Sequence, residues 1–164
     1  MLTQERLKDL LHYDPETGVF TRKVALSPKT RVGEVAGGKC SLGYWQISVE
    51  GKLHRSHRLA WLYIKGKWPK HQIDHIDGNK CNNSFRNLRE ANFNQNSFNR
   101  PKQSNNTSGY KGVSWHDKAN KWTAEIKAYG VKRRLGLFKS KLAAYRAYCK
   151  AARALHKEFT NTGD

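Results

Sequence analysis

The stretch HQIDHIDGNKCNNSFRNLREANFNQNSFNR, residues 71–100, decides how the rest of the chain is read. Asp74 and His75 close a short apolar segment and stand just ahead of a glycine turn at Asp77-Gly78. Adjacent residues on a strand point to opposite faces, so the pair can do different work where the strand ends and twists. Asn87 and Asn96 follow downstream. A carboxylate oxygen with an amide oxygen is a hard-donor pair suited to magnesium or manganese. A neutral imidazole beside such an ion can take a proton from water. Phosphodiester hydrolysis needs that combination: a base to make hydroxide, and a cation to stabilise the phosphorane and the departing oxygen.

Each piece also has a plainer reading. A helix-loop-helix calcium site would place oxygen ligands at alternate positions before the glycine, and His75 and Ile76 break that pattern. A lone histidine is more often a hydrogen-bonded structural residue, and lone asparagines are more often turn or cap residues. Only the ordered set Asp74, His75, Asn87, Asn96 favours chemistry.

Working outward, residues 2–11 read as a short helix with Leu2, Leu7, Leu10 and Leu11 apolar and Thr3 as its cap. DPETG, residues 14–18, is a turn, followed by a short strand over 19–22 and a glycine-rich loop over 27–38. Residues 44–49 alternate, with Trp45, Ile47 and Val49 on one face, and Glu50-Gly51 turns the chain into a second strand over 52–55. From 57 to 64 the period becomes helical, with Leu59, Leu62 and Tyr63 on the buried side and Trp68-Pro69 ending the element. Pro, Ser and Asn dominate RPKQSNNTSG, residues 100–109, which predicts a linker over 101–107 between domains at 1–100 and 108–164. Beyond it, residues 112–115, 121–127 and 132–138 read as three strands, the last two joined by a tight turn at Tyr129-Gly130. Ser140 caps a helix in which Leu142, Tyr145, Tyr148, Cys149, Ala152, Leu155 and Phe159 make the core-facing stripe. The fold class expected is α+β: a small N-terminal antiparallel sheet and the 71–100 module, then a three-stranded antiparallel sheet with one packed helix.

Thirty-one Lys and Arg against thirteen Asp and Glu give the 164 residues a net charge of +18. Both halves are basic: residues 1–100 carry 17 bases and 9 acids, residues 101–164 carry 14 and 4. Charge spread over two folded halves points to a nucleic acid contacted along a long track, rather than to a single basic tail. No long basic amphipathic helix serves an anionic membrane, and no apolar run reaches the roughly 18 residues a spanning helix needs. The N-terminus lacks an apolar signal core, so a cytoplasmic location is expected, in the host cytoplasm for a phage-encoded protein. Cys40, Cys81 and Cys149 are odd in number and widely spaced, which fits neither a disulfide framework nor a cysteine zinc site.

Residues 71–99, in particular DHIDGNKCNNSFRNLREA…NQN, resemble the HNH endonuclease motif in its phage and intron homing branch, where asparagine replaces the final histidine. LHYDPETGVFTRK and GYWQISVEGKLHRSHRLAWLYIKGKWP are also similar to the N-terminal parts of those enzymes. The resemblance implies two antiparallel strands and a helix gripping one metal ion, Mg2+ or Mn2+, in each active site. By motif position it implies His75 as general base, Asn87 as the residue orienting the His75 ring, and Asp74 and Asn96 as metal ligands. No structural zinc is carried over. Asn82 and Asn83 read as loop-stabilising residues.

The second half, SGYKGVSWHDKANKWTAEI…KRRLGLFKSKLAAYRAYCKAA, is similar to the ethylene-response-factor (APETALA-type) DNA-binding domain, in which three strands enter the major groove with the helix behind. Lys111, Trp115, Lys121, Lys127, Arg133 and Arg134 are the residues expected on the DNA face. Together the two resemblances imply a metal-dependent endonuclease of double-stranded DNA, homing or nicking, acting as a monomer on DNA or as a dimer. A DNA-binding protein or repressor with an inactive HNH fold is the alternative. An RNA-binding protein would explain the charge alone.

Overall fold

Thr3 starts the first helix, its hydroxyl accepting a 3.2 Å hydrogen bond from the Arg6 N–H. The computed structural model describes residues 1–25 and 27–163, so Leu26 and Asp164 lie outside the described residues. Helix α1 (Gln4–Leu10) buries Leu7 and Leu10 and runs directly into strand β1 (Leu11–Tyr13), which pairs antiparallel with β2 (Phe20–Arg22). The DPETG turn between them is tied by Asp14, whose carboxylate accepts from the Glu16 N–H and the Thr17 hydroxyl.

Strands β3 (Gly38–Lys39), β4 (Trp45–Val49) and β5 (Lys52–Arg55) form a second small antiparallel sheet in that order. Glu50 and Gly51 both adopt positive φ, the mirror-image turn that suits the right-handed twist of a hairpin. Helix α2 (Ser56–Lys65) follows at once and buries Leu59, Ala60 and Leu62. It stops at Gly66, which takes the left-handed conformation and donates to the Leu62 carbonyl. The end expected at Trp68-Pro69 therefore comes earlier, because the glycine closes the helix before the proline is reached.

Strands β6 (Gln72–His75) and β7 (Leu88–Ala91) pair antiparallel with Asp74 opposite Arg89 and His75 opposite Leu88. Between them lies a polar loop ending in a single 3-10 turn at Phe85–Asn87. These elements share one core, in which Leu7, Tyr13, Phe20, Ile47, Leu59 and Leu62 are almost wholly buried.

The chain divides into two compact units, the first ending at Ala91 and the second beginning at Asn92. That division precedes the segment read as a linker. Helix α3 (Phe93–Phe98) and the polar stretch after it therefore belong to the second unit. Strands β8 (Val113–His116), β9 (Lys121–Ala128) and β10 (Val131–Phe138) make a three-stranded antiparallel sheet with β9 central. Helix α4 (Lys141–His156) packs on it, capped by Ser140, whose hydroxyl accepts from the Ala143 N–H. Lys157 adopts positive φ, so Phe159 sits in a separate buried 3-10 turn rather than on α4, and Leu142 is exposed. Gly112 is required where it stands: a Cβ there would lie 2.2 Å from the Tyr148 ring. The architecture is mixed α/β with small antiparallel sheets. Among the described residues, no helix is long and apolar enough to cross a membrane.

Candidate functional site

The alternation of β6 sends Asp74 and His75 to different neighbours, and both are only 5% exposed. Arg89 stands across the ladder from Asp74 and grips its Oδ2 through Nε at 2.9 Å and Nη2 at 2.8 Å. The pairing follows directly from strand register, since cross-strand partners share a face.

On the other side, the His75 ring lies edge-on to His57 with centroids 5.0 Å apart, and Tyr44 is within 6.2 Å. His75 Nε2 is 3.1 Å from the Asn83 side-chain oxygen. The Asn83 amide nitrogen donates to the Cys81 carbonyl, so its oxygen is the atom turned to the ring. That arrangement places the imidazole proton on Nε2 and leaves Nδ1 as the basic nitrogen. Burial holds the His75 pKa below its ordinary value, against the opposing pull of Asn83, Asp77 and Asp74. The ring is therefore neutral at pH 7, the state a proton acceptor needs.

Asn87 does not orient this ring. Its amide nitrogen donates to Asp77 Oδ1 at 2.9 Å and to the Asn82 carbonyl at 2.8 Å, while its oxygen accepts from the Asp77 N–H. Asn87 therefore closes the 76–87 loop on itself, and Asn83 is the residue bonded to His75. Burial alone would raise the Asp77 carboxyl, but bonds from Asn82 and Asn87 hold it below the usual carboxylate range. Asn83, read from the sequence as a loop residue, is 3% exposed. Its backbone carbonyl accepts from the Tyr13 hydroxyl at 2.7 Å, a phenol that burial keeps protonated. Gly18 packs flat on the same peptide, where a Cβ would come within 2.2 Å of the Asn83 carbonyl carbon. The DPETG turn and β1 thus hold the residue that holds His75.

His57 is the other residue the sequence leaves unassigned. It lies in the first turn of α2, and its Nδ1 is buried without a hydrogen-bond partner among the described residues. Burial and then the nearby His75, Arg55 and Arg58 push its pKa down to about 3. The run HRSHRLAW at a strand-to-helix junction is its one sequence signal. Around Tyr44, the Arg55 guanidinium and the Lys80 ammonium stand 4.3 and 4.7 Å from the ring centroid, which makes this edge of the unit cationic.

Among the described residues no three His, Cys, Asp or Glu side chains cluster as a metal cage. A hard divalent cation prefers oxygen donors such as the Asp74 carboxylate, whose Oδ2 is engaged by Arg89 in this structure. Asn96 lies on α3, in the second unit, where Asn92 and Gln95 form a reciprocal capping box.

The expected DNA face separates by strand register. Trp122, Ala124 and Ile126 of β9 pack toward α4, so Lys121, Thr123, Glu125 and Lys127 take the opposite face, on which Thr123 is buried and the two lysines are exposed. Arg134 pairs with Glu125 and Lys132 with Lys127, which puts both on that open face. Lys132 carries no sequence signal that singles it out. Arg133 pairs with Ile126 and Trp115 with Trp122, so both take the helix side by register, although both are exposed. Lys111 is not on a DNA face, because its ammonium donates to the carbonyls of Phe98, Arg100 and Asn161.

Comparison with known proteins agrees with the first unit's geometry. Residues 54–98 match the HNH endonuclease family. Protein 3.8 of Escherichia phage T7 is 41% identical over 80 residues, which cover 48% of this chain and 66% of that protein. An uncharacterized HNH endonuclease of Acanthamoeba polyphaga mimivirus is 34% identical over 110 residues, 66% of this chain and 56% of that protein. The chain thus spans just under two thirds and just over half of the lengths of these curated relatives. No solved structure matches it. The buried Asp74-His75 pair at a hairpin end falls inside residues 54–98, the segment that is similar to the HNH endonuclease family.

Proposed function

We propose that this chain is a DNA endonuclease, site-specific in the homing or nicking sense, that hydrolyses one phosphodiester bond per active site. The observation that carries the reading is the state of His75: buried, neutral, and turned by Asn83 so that Nδ1 is the basic nitrogen. Nδ1 accepts a proton from water as the water oxygen bonds to phosphorus. The P–O3′ bond breaks, and the departing 3′ oxygen takes a proton from solvent, leaving a 3′-hydroxyl and a 5′-phosphate. A divalent cation, Mg2+ or Mn2+, supplies charge stabilisation to the phosphorane and the leaving oxygen when bound. Asp74 and Asn96 are the ligands assigned to it. Arg89 holds the Asp74 carboxylate in place. The second unit meets duplex DNA through Lys121, Lys127, Lys132 and Arg134 on its open sheet face. The described residues offer one such site, so a monomer would nick.

The test is nicking of supercoiled plasmid carrying a library of inserts, in Mg2+, Mn2+ or chelator. Metal-dependent nicking that falls by about 10²- to 10⁴-fold in His75→Ala, with duplex binding retained, is the expected result. Tight binding without cleavage by the native chain would replace this reading with that of a DNA-binding protein on an inactive fold.

A further inference from the structure

The HNH match runs to residue 98, yet the first compact unit ends at Ala91. The last part of the domain, α3, is therefore built into the second unit, and the way it is fastened there is specific. A helix of six residues is too short to hold itself in water. Its N-terminus is closed by the Asn92–Gln95 capping box, but its last carbonyls need partners from elsewhere. Backbone N–H groups of Asn99 and Arg100 meet the Ser97 carbonyl, and Lys111 meets that of Phe98. Its ammonium donates to the Phe98 carbonyl at 3.0 Å, the Arg100 carbonyl at 2.5 Å and the Asn161 carbonyl at 2.8 Å, so three acceptors meet its three protons.

Two further contacts close the same joint. Asn161 donates through Nδ2 to the Asn99 carbonyl at 2.9 Å. The Phe98 ring stacks on His156 with centroids 4.0 Å apart and planes 7° from parallel, and meets Tyr129 edge-on at 5.6 Å. The end of α3 is thus held by the β9–β10 turn, the end of α4, the C-terminal segment and the residue before Gly112.

A well-packed apolar side chain of similar volume is often as stabilising as a buried charge. What the ammonium adds is direction: three fixed carbonyls converge on one point, and the helix end cannot rotate or slide without breaking them. Two residues before Phe98 is Asn96.

We propose that Lys111 is a positioning residue, its ammonium clasping the carbonyls of Phe98, Arg100 and Asn161 so that α3 presents Asn96 in one fixed orientation. The inference rests on the proposed role of Asn96 as a metal ligand. It makes Lys111 a determinant of cleavage rather than of DNA affinity, the reverse of what its place in the GYKG run suggests.

The test compares the native chain with Lys111→Met, and with Asn161→Ala as a milder opening of the same clasp should the first variant fail to fold. The expected result has three parts. Hydrogen exchange of the backbone amides at 96–100 accelerates at least tenfold. The Mn2+ concentration that broadens the Asn96 side-chain amide resonance rises at least fivefold. Nicking at saturating DNA falls at least tenfold, while the dissociation constant for duplex stays within threefold. Unchanged exchange at 96–100 in a folded variant would overturn the proposal, as would fast exchange with Mn2+ broadening and nicking unaltered. Failure of the nuclease reading is recognised separately. If the native chain does not nick but Mn2+ broadens Asn96 and the variant weakens this, the clasp stands without the enzyme. If Mn2+ does not broaden Asn96 in the native chain, the proposal falls.

Discussion

The β6–β7 hairpin and the β8–β10 sheet are both small antiparallel structures carrying charged residues, but they treat their charges in opposite ways. In the hairpin, Asp74 and His75 are buried and each is held by a named neighbour, Arg89 on one side and Asn83 on the other. In the sheet, Lys121, Lys127, Lys132 and Arg134 lie on an open face, and Glu125 stands among them, paired with Lys132 and with Arg134 at 3.7 Å. Buried polar groups destabilise unless they are fully bonded, so in the hairpin each must be fixed in orientation by its partner. Exposed charges on long side chains remain mobile, and act through the number of phosphates they neutralise. The first arrangement suits chemistry on one bond, and the second suits holding a long polyanion.

The sharpest way to break this contrast is to disturb the hairpin from outside it. Gly18 has φ of 74° and no room for a side chain against the Asn83 peptide. Gly18→Val should destabilise the first unit by about 4 kcal/mol, combining left-handed strain with overpacking. Urea denaturation measures it, and a loss below about 1 kcal/mol would mean that the DPETG turn does not brace the site.

A second test uses pH. The unfolded His57 imidazole titrates near 6.5, whereas the folded one is pushed down to about 3. Between those values the unfolded chain binds more protons, so the stability is fully present above 6.5 and is lost as pH falls toward 3. By pH 4 the loss attributable to His57 is about 3 kcal/mol, which His57→Phe should remove from the difference between urea midpoints at pH 7 and pH 4. An equal difference in both proteins would show that His57 is protonated without cost.

The sheet should respond by the opposite measure. Lys132→Ala with Arg134→Ala should leave thermal stability within about 0.5 kcal/mol, as exposed charges do. The slope of log affinity for duplex against log salt should become shallower by about 2, because two fewer phosphates are neutralised. An unchanged slope would remove the open face from the DNA track.

What is legible in the sequence is whatever its signals fix locally. Thr3 before a leucine period, Glu50-Gly51 between alternating strands, and Ser140 before α4 each specify an element through near neighbours, and the structure has each of them in place. Asp74 and His75 are legible as a pair because strand alternation alone separates their roles. That Asn83, and not Asn87, meets the histidine is not legible. Both asparagines are within reach of the turn, and which amide meets the ring depends on how the 76–87 loop closes and on Tyr13, seventy residues away in sequence. Lys111 misleads for a related reason. A lysine beside glycine looks solvent-exposed, and only the return of the chain at Asn161 supplies the carbonyl that encloses it.

The capping box that opens α3 and the lysine that closes it are separated by the stretch that looks most dispensable, residues 101–107. That segment is where recombination between genes would be expected to cut without harm. In this chain a crossover there would join α3 to a foreign partner lacking the ammonium and rings that finish the helix. Helix α3 and Lys111 should therefore be inherited as a block, and an exchange of the sheet that follows would have to keep Phe98, Lys111 and Asn161 together.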